Sequence, residues 1–127
     1  MKILVVDDKE AVLSQITDLL SEHGHTVETA YNGLDAFEKV QKEDYDLFII
    51  DHLMPVMNGV QLTKNIKSSN SYKHIPVIFI TTQDKQNIKM LPEFELFDEI
   101  LSKPINAEEF NKCVDQFSIE NTRYHSL

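Results

Sequence analysis

Short apolar segments, each followed at once by an acidic, hydroxyl or amine side chain, recur along this chain. The first three are rich in Ile and Val and do not alternate with polar residues, which is typical of buried parallel strands. The carboxyl ends of parallel strands lie at one end of a sheet, so we expect the side chains that follow them to lie close together. The segments are 3–6, 47–50, 77–80 and 100–102, and the side chains that follow them are Asp7 and Asp8, Asp51, Thr81 and Lys103.

Segments with apolar residues at helical spacing separate these strands, and a further short strand is predicted at 26–30. Strand and helix alternate five times, which predicts an α/β fold whose parallel sheet carries helices on both faces. The fourth helix, at about 83–91, should be short or kinked because Pro92 cannot lie within a helix. Asn106 followed by Glu109 predicts the N-cap of a last helix.

Length and charge limit the classes of function. The 127 residues predict one domain, 1–118, followed by a polar tail, 119–127. A net charge of −9 argues against direct binding to nucleic acid. No segment has the roughly 20 apolar residues that cross a bilayer, so we expect no membrane insertion and a cytoplasmic location. The single cysteine, Cys113, excludes an internal disulfide.

The predicted cluster of acids creates an electrostatic problem. Two carboxylates about 4 Å apart repel by roughly 4 kcal/mol at an effective dielectric of 20, and here three converge. A divalent cation or protonation must relieve this repulsion. All candidate side-chain ligands are hard oxygens, which favours Mg²⁺, with Mn²⁺ as a substitute, over zinc. The ammonium group of Lys103 and the hydroxyl of Thr81 suit phosphoryl oxygens.

A carboxylate in such a pocket can itself be a phosphoryl acceptor. Asp51 is the candidate nucleophile because it ends the central strand. Asp7 and Asp8 lie side by side on the neighbouring turn, where they are better placed to bind a metal ion. Asp8 as the nucleophile is the alternative assignment.

Five motifs, in this order and at this spacing, resemble the response-regulator receiver domain. The resemblance covers residues 1 to about 117 and implies a flavodoxin-like (βα)5 fold with strand order 2-1-3-4-5. The motifs are Val5-Val6-Asp7-Asp8, Asp51-His52-Leu53-Met54-Pro55, Asn58-Gly59, Ile80-Thr81-Thr82 and Leu101-Ser102-Lys103-Pro104.

The resemblance implies that Asp51 accepts a phosphoryl group from a sensor histidine kinase or a histidine phosphotransfer protein. Asp8, Asp51 and the backbone carbonyl of Leu53 would ligate Mg²⁺, with Asp7 acting through metal-bound water. Thr81 would move toward the phosphoryl oxygens and Lys103 would pair with them. Such a protein is a signalling phosphoacceptor that assists its own phosphorylation and dephosphorylation, rather than an enzyme acting on other substrates.

The family reads out phosphorylation on the face formed by the fourth helix, fifth strand and fifth helix, where a downstream effector protein binds. An aromatic residue three positions before the lysine usually reports the state, but Ile100 occupies that position here. Two residues next to the pocket should slow dephosphorylation: Leu53, which is apolar, and Thr82, which is larger than the residue common there. The Lys103–Pro104 peptide bond is often cis in this family.

Two other functions stay open at this point. Aspartyl-phosphate phosphohydrolases use similar groups, but they carry a spaced Asp-x-Asp on the first strand, whereas Asp7 and Asp8 are adjacent. The intact acids, Thr81 and Lys103 argue against an interaction module of receiver fold that does not need phosphorylation, but the altered face around Ile100 keeps it open. His52 should point away from Asp51 because strand side chains alternate, so we interpret it as a structural histidine rather than a phosphoryl relay.

Overall fold

A parallel five-stranded sheet forms the centre of the protein in the computed structural model, in which we describe residues 1–126 and the side chains of residues 1–118. The strand order is β2-β1-β3-β4-β5, which confirms the predicted fold class. Neighbouring strands all pair in parallel. The strands are β1 (Lys2–Val6), β2 (Thr26–Ala30), β3 (Leu47–Asp51), β4 (Val77–Thr81) and β5 (Glu99–Ser102).

Helices follow the strands in the predicted order. Several begin at side chains that accept a hydrogen bond from the first turn: Asn32 from the amide of Asp35, and Asn58 from that of Gln61. Asn106 accepts from the amide of Glu109, so the predicted cap is confirmed. The helices are α1 (Glu10–Glu22), α2 (Gly33–Lys42), α3 (Gly59–Lys67), α4 (Lys85–Lys89) and α5 (Ala107–Ser126), with a 3₁₀ turn at Phe94–Leu96.

The two faces of the sheet pack against different helices. Side chains alternate along each strand, so neighbouring residues such as Ile49 and Ile50 belong to opposite faces. The α2–α3 face contains Leu4, Val6, Ala36, Val40, Phe48, Ile50, Leu62, Ile66, Phe79, Ile88 and Phe97. The α1–α5 face contains Ile3, Val5, Ile16, Leu20, Ile49, Ile80, Phe110 and Val114.

Two helices differ in length from the sequence-based boundaries. α4 has only five residues and ends at Lys89, which confirms that the helix before Pro92 is short but narrows the predicted range of 83–91. α5 continues through the predicted tail to Ser126, because no Pro or Gly interrupts the chain after Ala107. Within the part of the chain that we describe, no helix has both the length and the apolar character needed to cross a membrane.

The loop between β3 and α3 contains a strained residue. Val56 has a φ of 70°, a left-handed conformation in which a β-branched side chain is an outlier. The amide of Met57 donates to the carbonyl of Pro55 at 2.8 Å and closes a three-residue γ-turn around Val56. The Val56 side chain is 77% exposed, so little packing compensates for this conformation.

Replacing Val56 with Asn should therefore stabilise the fold. Asn tolerates the left-handed region, and we expect a gain of about 1 kcal/mol in the free energy of unfolding, measured by urea denaturation. Met90→Asn is a matched control, because Met90 is also exposed but has a negative φ. Equal or lower stability of Val56→Asn relative to the native protein would contradict the assigned strain.

Candidate functional site

Three carboxylates lie together at the carboxyl end of the sheet. Asp7 and Asp8 follow β1, and Asp51 is the last residue of the adjacent strand β3. One oxygen from each carboxylate lies within 4.8 Å of the others. Asp7 and Asp51 are buried, whereas the Asp8 side chain is 30% exposed. We call these three residues, together with Lys103, the acidic pocket.

Lys103 links the two buried acids of the pocket. Its Nζ lies 2.9 Å from Asp7 Oδ2 and 2.8 Å from Asp51 Oδ1, and its side chain is only 12% exposed. The Lys103 amide donates to the carbonyl of Thr81 at 2.9 Å, which fixes the backbone just after β5. The prediction that these acids and this lysine converge is therefore correct in geometry.

The charges of the acidic pocket are not balanced by Lys103 alone. Burial raises the pKa of Asp51, and the repulsion from Asp7 acts in the same direction, while the Lys103 ammonium opposes both. Burial by itself would lower the pKa of Lys103, but its hydrogen bonds to Asp51 and Asp7 raise it above the ordinary value. The lysine is thus firmly protonated, and the pocket keeps an excess of negative charge.

The donor set of the acidic pocket fits a hard divalent cation. Carboxylate oxygens are the ligands that Mg²⁺ prefers, and a partly exposed group such as Asp8 leaves room for the waters that Mg²⁺ usually keeps. Zinc would favour His or Cys, and the group of possible metal ligands found among the described side chains contains neither.

The start of α3 packs directly onto the end of β3. The Gly59 amide donates to the carbonyl of His52 at 2.8 Å, and a Cβ at Gly59 would lie 2.1 Å from the Asp51 carbonyl oxygen. Only glycine permits this approach, because any larger side chain would displace the backbone that carries Asp51. The position of the candidate acceptor therefore depends on the residue eight positions later.

Thr81 lies at the same end of the sheet but is engaged elsewhere. The residue is fully buried, its Oγ1 lies 2.9 Å from His52 Nδ1, and the same oxygen accepts from the amide of Gln83 at 2.9 Å. The structure thus places the hydroxyl on the side of His52 rather than in contact with Asp51. The sequence predicts that Thr81 converges with the acids, but it did not predict this hydrogen bond to His52.

The alternation of side chains along strands could have predicted that Thr81 and His52 lie on the same side of the sheet. Phe79 belongs to the α2–α3 face, so Thr81, two residues later, lies on the same side of the sheet. His52 follows Ile50 of that face by two residues, and this agrees with its predicted orientation away from Asp51. Burial lowers the pKa of His52, so its imidazole is neutral at neutral pH.

The remaining predicted residues differ in their exposure. Leu53 is 53% exposed, and Thr82 is exposed at the end of β4. Ile100 is half-buried and packs against the α2–α3 face. The Lys103–Pro104 peptide bond is cis, as the family resemblance implies.

Comparison with known proteins agrees with this geometry. Residues 3–115 match the family model described as the response regulator receiver domain. Protein PilH of Pseudomonas aeruginosa is 32% identical over 114 residues, which are 90% of this chain and 94% of that protein. The chain spans only 46% of three longer relatives, which are described as a response regulator and two transcriptional regulatory proteins.

Solved structures show the same fold. The chemotaxis protein CheY4 of Vibrio cholerae is 32% identical with a TM-score of 0.84, and the alignment covers 91% of this chain and 97% of that one. The response regulator TrrA of Thermotoga maritima, solved in complex with Mg²⁺ and BeF, is 28% identical with a TM-score of 0.82. That alignment covers 91% of this chain and 97% of TrrA.

The unfavourable charge of Asp51 should appear as a stability effect. A pKa raised by folding means that the folded state holds the proton more tightly than the unfolded state, so this contribution is lost as pH rises through the raised pKa. Asp51→Asn removes the charge and should increase the free energy of unfolding at pH 7 by on the order of 1 kcal/mol. The gain should shrink as pH falls toward the ordinary Asp value of about 3.9.

Urea denaturation between pH 7 and pH 4 measures this effect. Asp44→Asn is the matched control, since Asp44 is exposed in the loop between α2 and β3 and should show no pH-dependent gain. A variant at Asp51 that is less stable than the native protein at pH 7 would mean that the ion pair with Lys103 outweighs burial and repulsion.

Proposed function

The chain belongs to the response regulator receiver domain family, and on that basis we propose that it accepts a phosphoryl group on Asp51 from a phosphohistidine. The donor would be a sensor histidine kinase or a histidine phosphotransfer protein. The observation that carries this proposal is the buried Asp51 carboxylate, held by the Lys103 ammonium at 2.8 Å among two further acids.

The transfer exchanges one bond for another. An Asp51 carboxylate oxygen attacks phosphorus, the P–O bond forms, and the P–N bond of the phosphohistidine breaks. The imidazole leaves as a neutral ring once it has taken a proton. Lys103 orients the acceptor through Oδ1 and then pairs with the negative phosphoryl oxygens, where a fixed ammonium in a buried site is most effective.

The acidic pocket would hold Mg²⁺, with Mn²⁺ as a substitute. Asp8, Asp51 and the backbone carbonyl of Leu53 are the proposed ligands, and Asp7 would act through a metal-bound water. When bound, the cation supplies positive charge that lowers the repulsion between the carboxylates and the incoming phosphoryl group. TrrA, a relative of the same fold, was solved with Mg²⁺ and BeF.

Thr81 and Lys103 would take part both in the phosphorylation of Asp51 and in the later hydrolysis of the aspartyl phosphate by water. The Thr81 hydroxyl can donate to a phosphoryl oxygen once it leaves its present partner. Receiver domains act as phosphoacceptors in signalling, and we propose that this one assists its own phosphorylation and hydrolysis without acting as an enzyme on other substrates. The residues of the acidic pocket would then set the lifetime of the phosphorylated state.

The switch would act by controlling a downstream effector protein on the face formed by α4, β5 and α5. A cleft of about 490 Å³ opens there, lined by charged side chains that include Lys85, Glu99 and Lys112. A phosphoryl group carries about −1.5 to −2 charge, which replaces the −1 of the Asp51 carboxylate, and a partner could recognise the rearrangement that follows. The net charge of −9 favours a protein partner over nucleic acid.

One observation favours a second function. Ile100 stands where the family usually has an aromatic reporter, so the chain could bind its partner without phosphorylation, as an interaction module of receiver fold. The adjacent placement of Asp7 and Asp8, together with Asp51 on another strand, argues against an aspartyl-phosphate phosphohydrolase, which needs a spaced pair on one strand.

Intact mass measured during incubation with acetyl phosphate tests the proposal. With Mg²⁺ present we expect one phosphoryl adduct, formed as the bond from phosphorus to acetate breaks. Chelation of Mg²⁺ should abolish it, and Asp51→Asn should not form it. Asp44→Asn, which changes an exposed aspartate outside the acidic pocket, should react like the native protein.

Failure of the native protein to form the adduct, together with failure to bind beryllofluoride, would overturn the phosphoacceptor function. That result would favour the phosphorylation-independent interaction module. An adduct that persists in Asp51→Asn would instead assign the acceptor to another residue, with Asp8 as the first alternative.

Decay of the adduct tests the proposed roles of Leu53 and Thr82. We expect slow hydrolysis, because Leu53 presents an apolar side chain two residues from the acceptor and cannot orient an attacking water. Leu53→Asn should shorten the lifetime severalfold, since an amide can hydrogen-bond that water. Val56→Asn also replaces an exposed apolar side chain of the same loop with Asn, and it should leave the lifetime of the adduct unchanged. A native adduct that survives only seconds would contradict the expected slow decay.

A further inference from the structure

The backbone of His52 is fixed on both sides. Its amide donates to the carbonyl of Ile80 at 2.9 Å, which continues the pairing of β3 with β4 by one residue beyond Asp51. Its carbonyl accepts from the amide of Gly59 at 2.8 Å. The imidazole therefore leaves the backbone in a defined direction, onto the α2–α3 face and away from the Asp51 carboxylate.

The His52 imidazole is hydrogen-bonded to the Thr81 hydroxyl, the group that would have to contact a phosphoryl group on Asp51. His52 Nδ1 lies 2.9 Å from Thr81 Oγ1, and that oxygen also accepts from the amide of Gln83. A threonine hydroxyl has one proton to donate. If the proton is shared with His52, it is not available to a phosphoryl oxygen, so the two interactions compete.

The imidazole also begins a series of aromatic contacts. The ring centroids of His52 and Phe79 lie 5.1 Å apart, at an interplanar angle of 49°. Phe79 stacks on Phe97, with ring centroids 3.9 Å apart and an angle of 13°. Phe97 is 8% exposed and lies two residues before β5, so the series reaches from the residue after β3, across β4, to the segment that leads into β5.

We propose that His52 is a positioning residue that holds Thr81 away from Asp51 in the unphosphorylated protein and transmits the release of Thr81, through Phe79, to Phe97. This inference rests on the proposed phosphorylation of Asp51. It assigns to His52, Phe79 and Phe97 the reporting function that the residue at position 100 cannot perform here.

The geometry gives the order of events. Once Asp51 carries a phosphoryl group, Thr81 can turn to donate to it, and this breaks the bond to His52 Nδ1. A partly buried imidazole nitrogen without a partner is unfavourable, so the ring shifts to find another one. The shift changes the contact with Phe79, and the close stacking of Phe79 on Phe97 carries it toward β5.

The same geometry argues against a phosphoryl relay through His52. Its Nδ1 faces Thr81, whereas the Asp51 carboxylate lies on the opposite side of the sheet because side chains alternate along a strand. A relay would need an imidazole nitrogen in line with the Asp51 phosphoryl group. The contribution of His52 is therefore to position Thr81 and to pack on Phe79.

Two substitutions separate the hydrogen bond from the ring. His52→Asn can place an amide group near the position of Nδ1 and so keep a hydrogen bond to Thr81, but it lacks the ring. His52→Phe keeps a ring on Phe79 but cannot bond to Thr81. Thr81→Val removes the hydroxyl group itself, and urea denaturation checks that each variant folds.

The first measurement is the affinity for beryllofluoride in the presence of Mg²⁺. In the native protein binding must break the His52–Thr81 bond, so His52→Phe should bind about fivefold more tightly, the equivalent of one hydrogen bond of about 1 kcal/mol. His52→Asn should bind like the native protein. In a Thr81→Val background, His52→Phe should have no further effect, because the competition is absent.

The second measurement is the NMR shift of the Phe97 ring on addition of beryllofluoride. We expect a shift in the native protein and a much smaller one in both His52 variants, since one lacks the bond and the other lacks the ring. Unchanged affinity in His52→Phe, or an equal Phe97 shift in all variants, would overturn the proposal. Tighter binding in His52→Asn than in His52→Phe would also overturn it.

A measurement without phosphate separates this proposal from the phosphoacceptor function. In the free protein, the ¹⁵N shift of His52 Nδ1 should change in Thr81→Val, which lacks the hydroxyl group. No change would disprove the hydrogen bond, whatever the outcome with beryllofluoride. If that bond is confirmed but the native protein binds no beryllofluoride and forms no adduct, the phosphoacceptor function fails, and the role of His52 in phosphorylation fails with it.

Discussion

The mutual repulsion of three carboxylates is the constraint on which the rest of this structure depends. The ends of β1 and β3 place one oxygen from each of Asp7, Asp8 and Asp51 within 4.8 Å of the others, where each close pair costs on the order of kilocalories per mole. Lys103 relieves part of that cost through two short contacts. The sheet and its core supply the stability that keeps the acids together, and the remaining excess of negative charge favours the binding of a cation.

The backbone around the acidic pocket shows how closely the fold supports this arrangement. Gly59 permits the start of α3 to press against the Asp51 carbonyl, and Val56 adopts a left-handed conformation so that the chain can turn between the two elements. Both features carry a cost, either in conformational entropy or in strain. Val56 lies in the loop and Gly59 at the start of α3, both close in sequence to Asp51, whose position matters most to the proposed chemistry.

The sheet divides the site into two sides with different tasks. Asp7, Asp51 and Lys103 lie on one side, where charge is concentrated. Thr81 and His52 lie on the other, in contact with the aromatic residues of the α2–α3 face. In our proposal, an event at the acids reaches the aromatic residues of the α2–α3 face through the Thr81 hydroxyl, because rotation about one side-chain bond can change its partner.

The sequence by itself determined the five strands, their helices, the convergence of Asp7, Asp8, Asp51 and Lys103, and the short helix before Pro92. It could do so because apolar runs, caps and helix breakers act locally, and because parallel strands end on the same side of a sheet. The partner of Thr81 was decided by the tertiary structure. Pairing of Asp51 with Ile80 sets His52 beside Thr81, and this register depends on how two distant strands pack rather than on either segment alone.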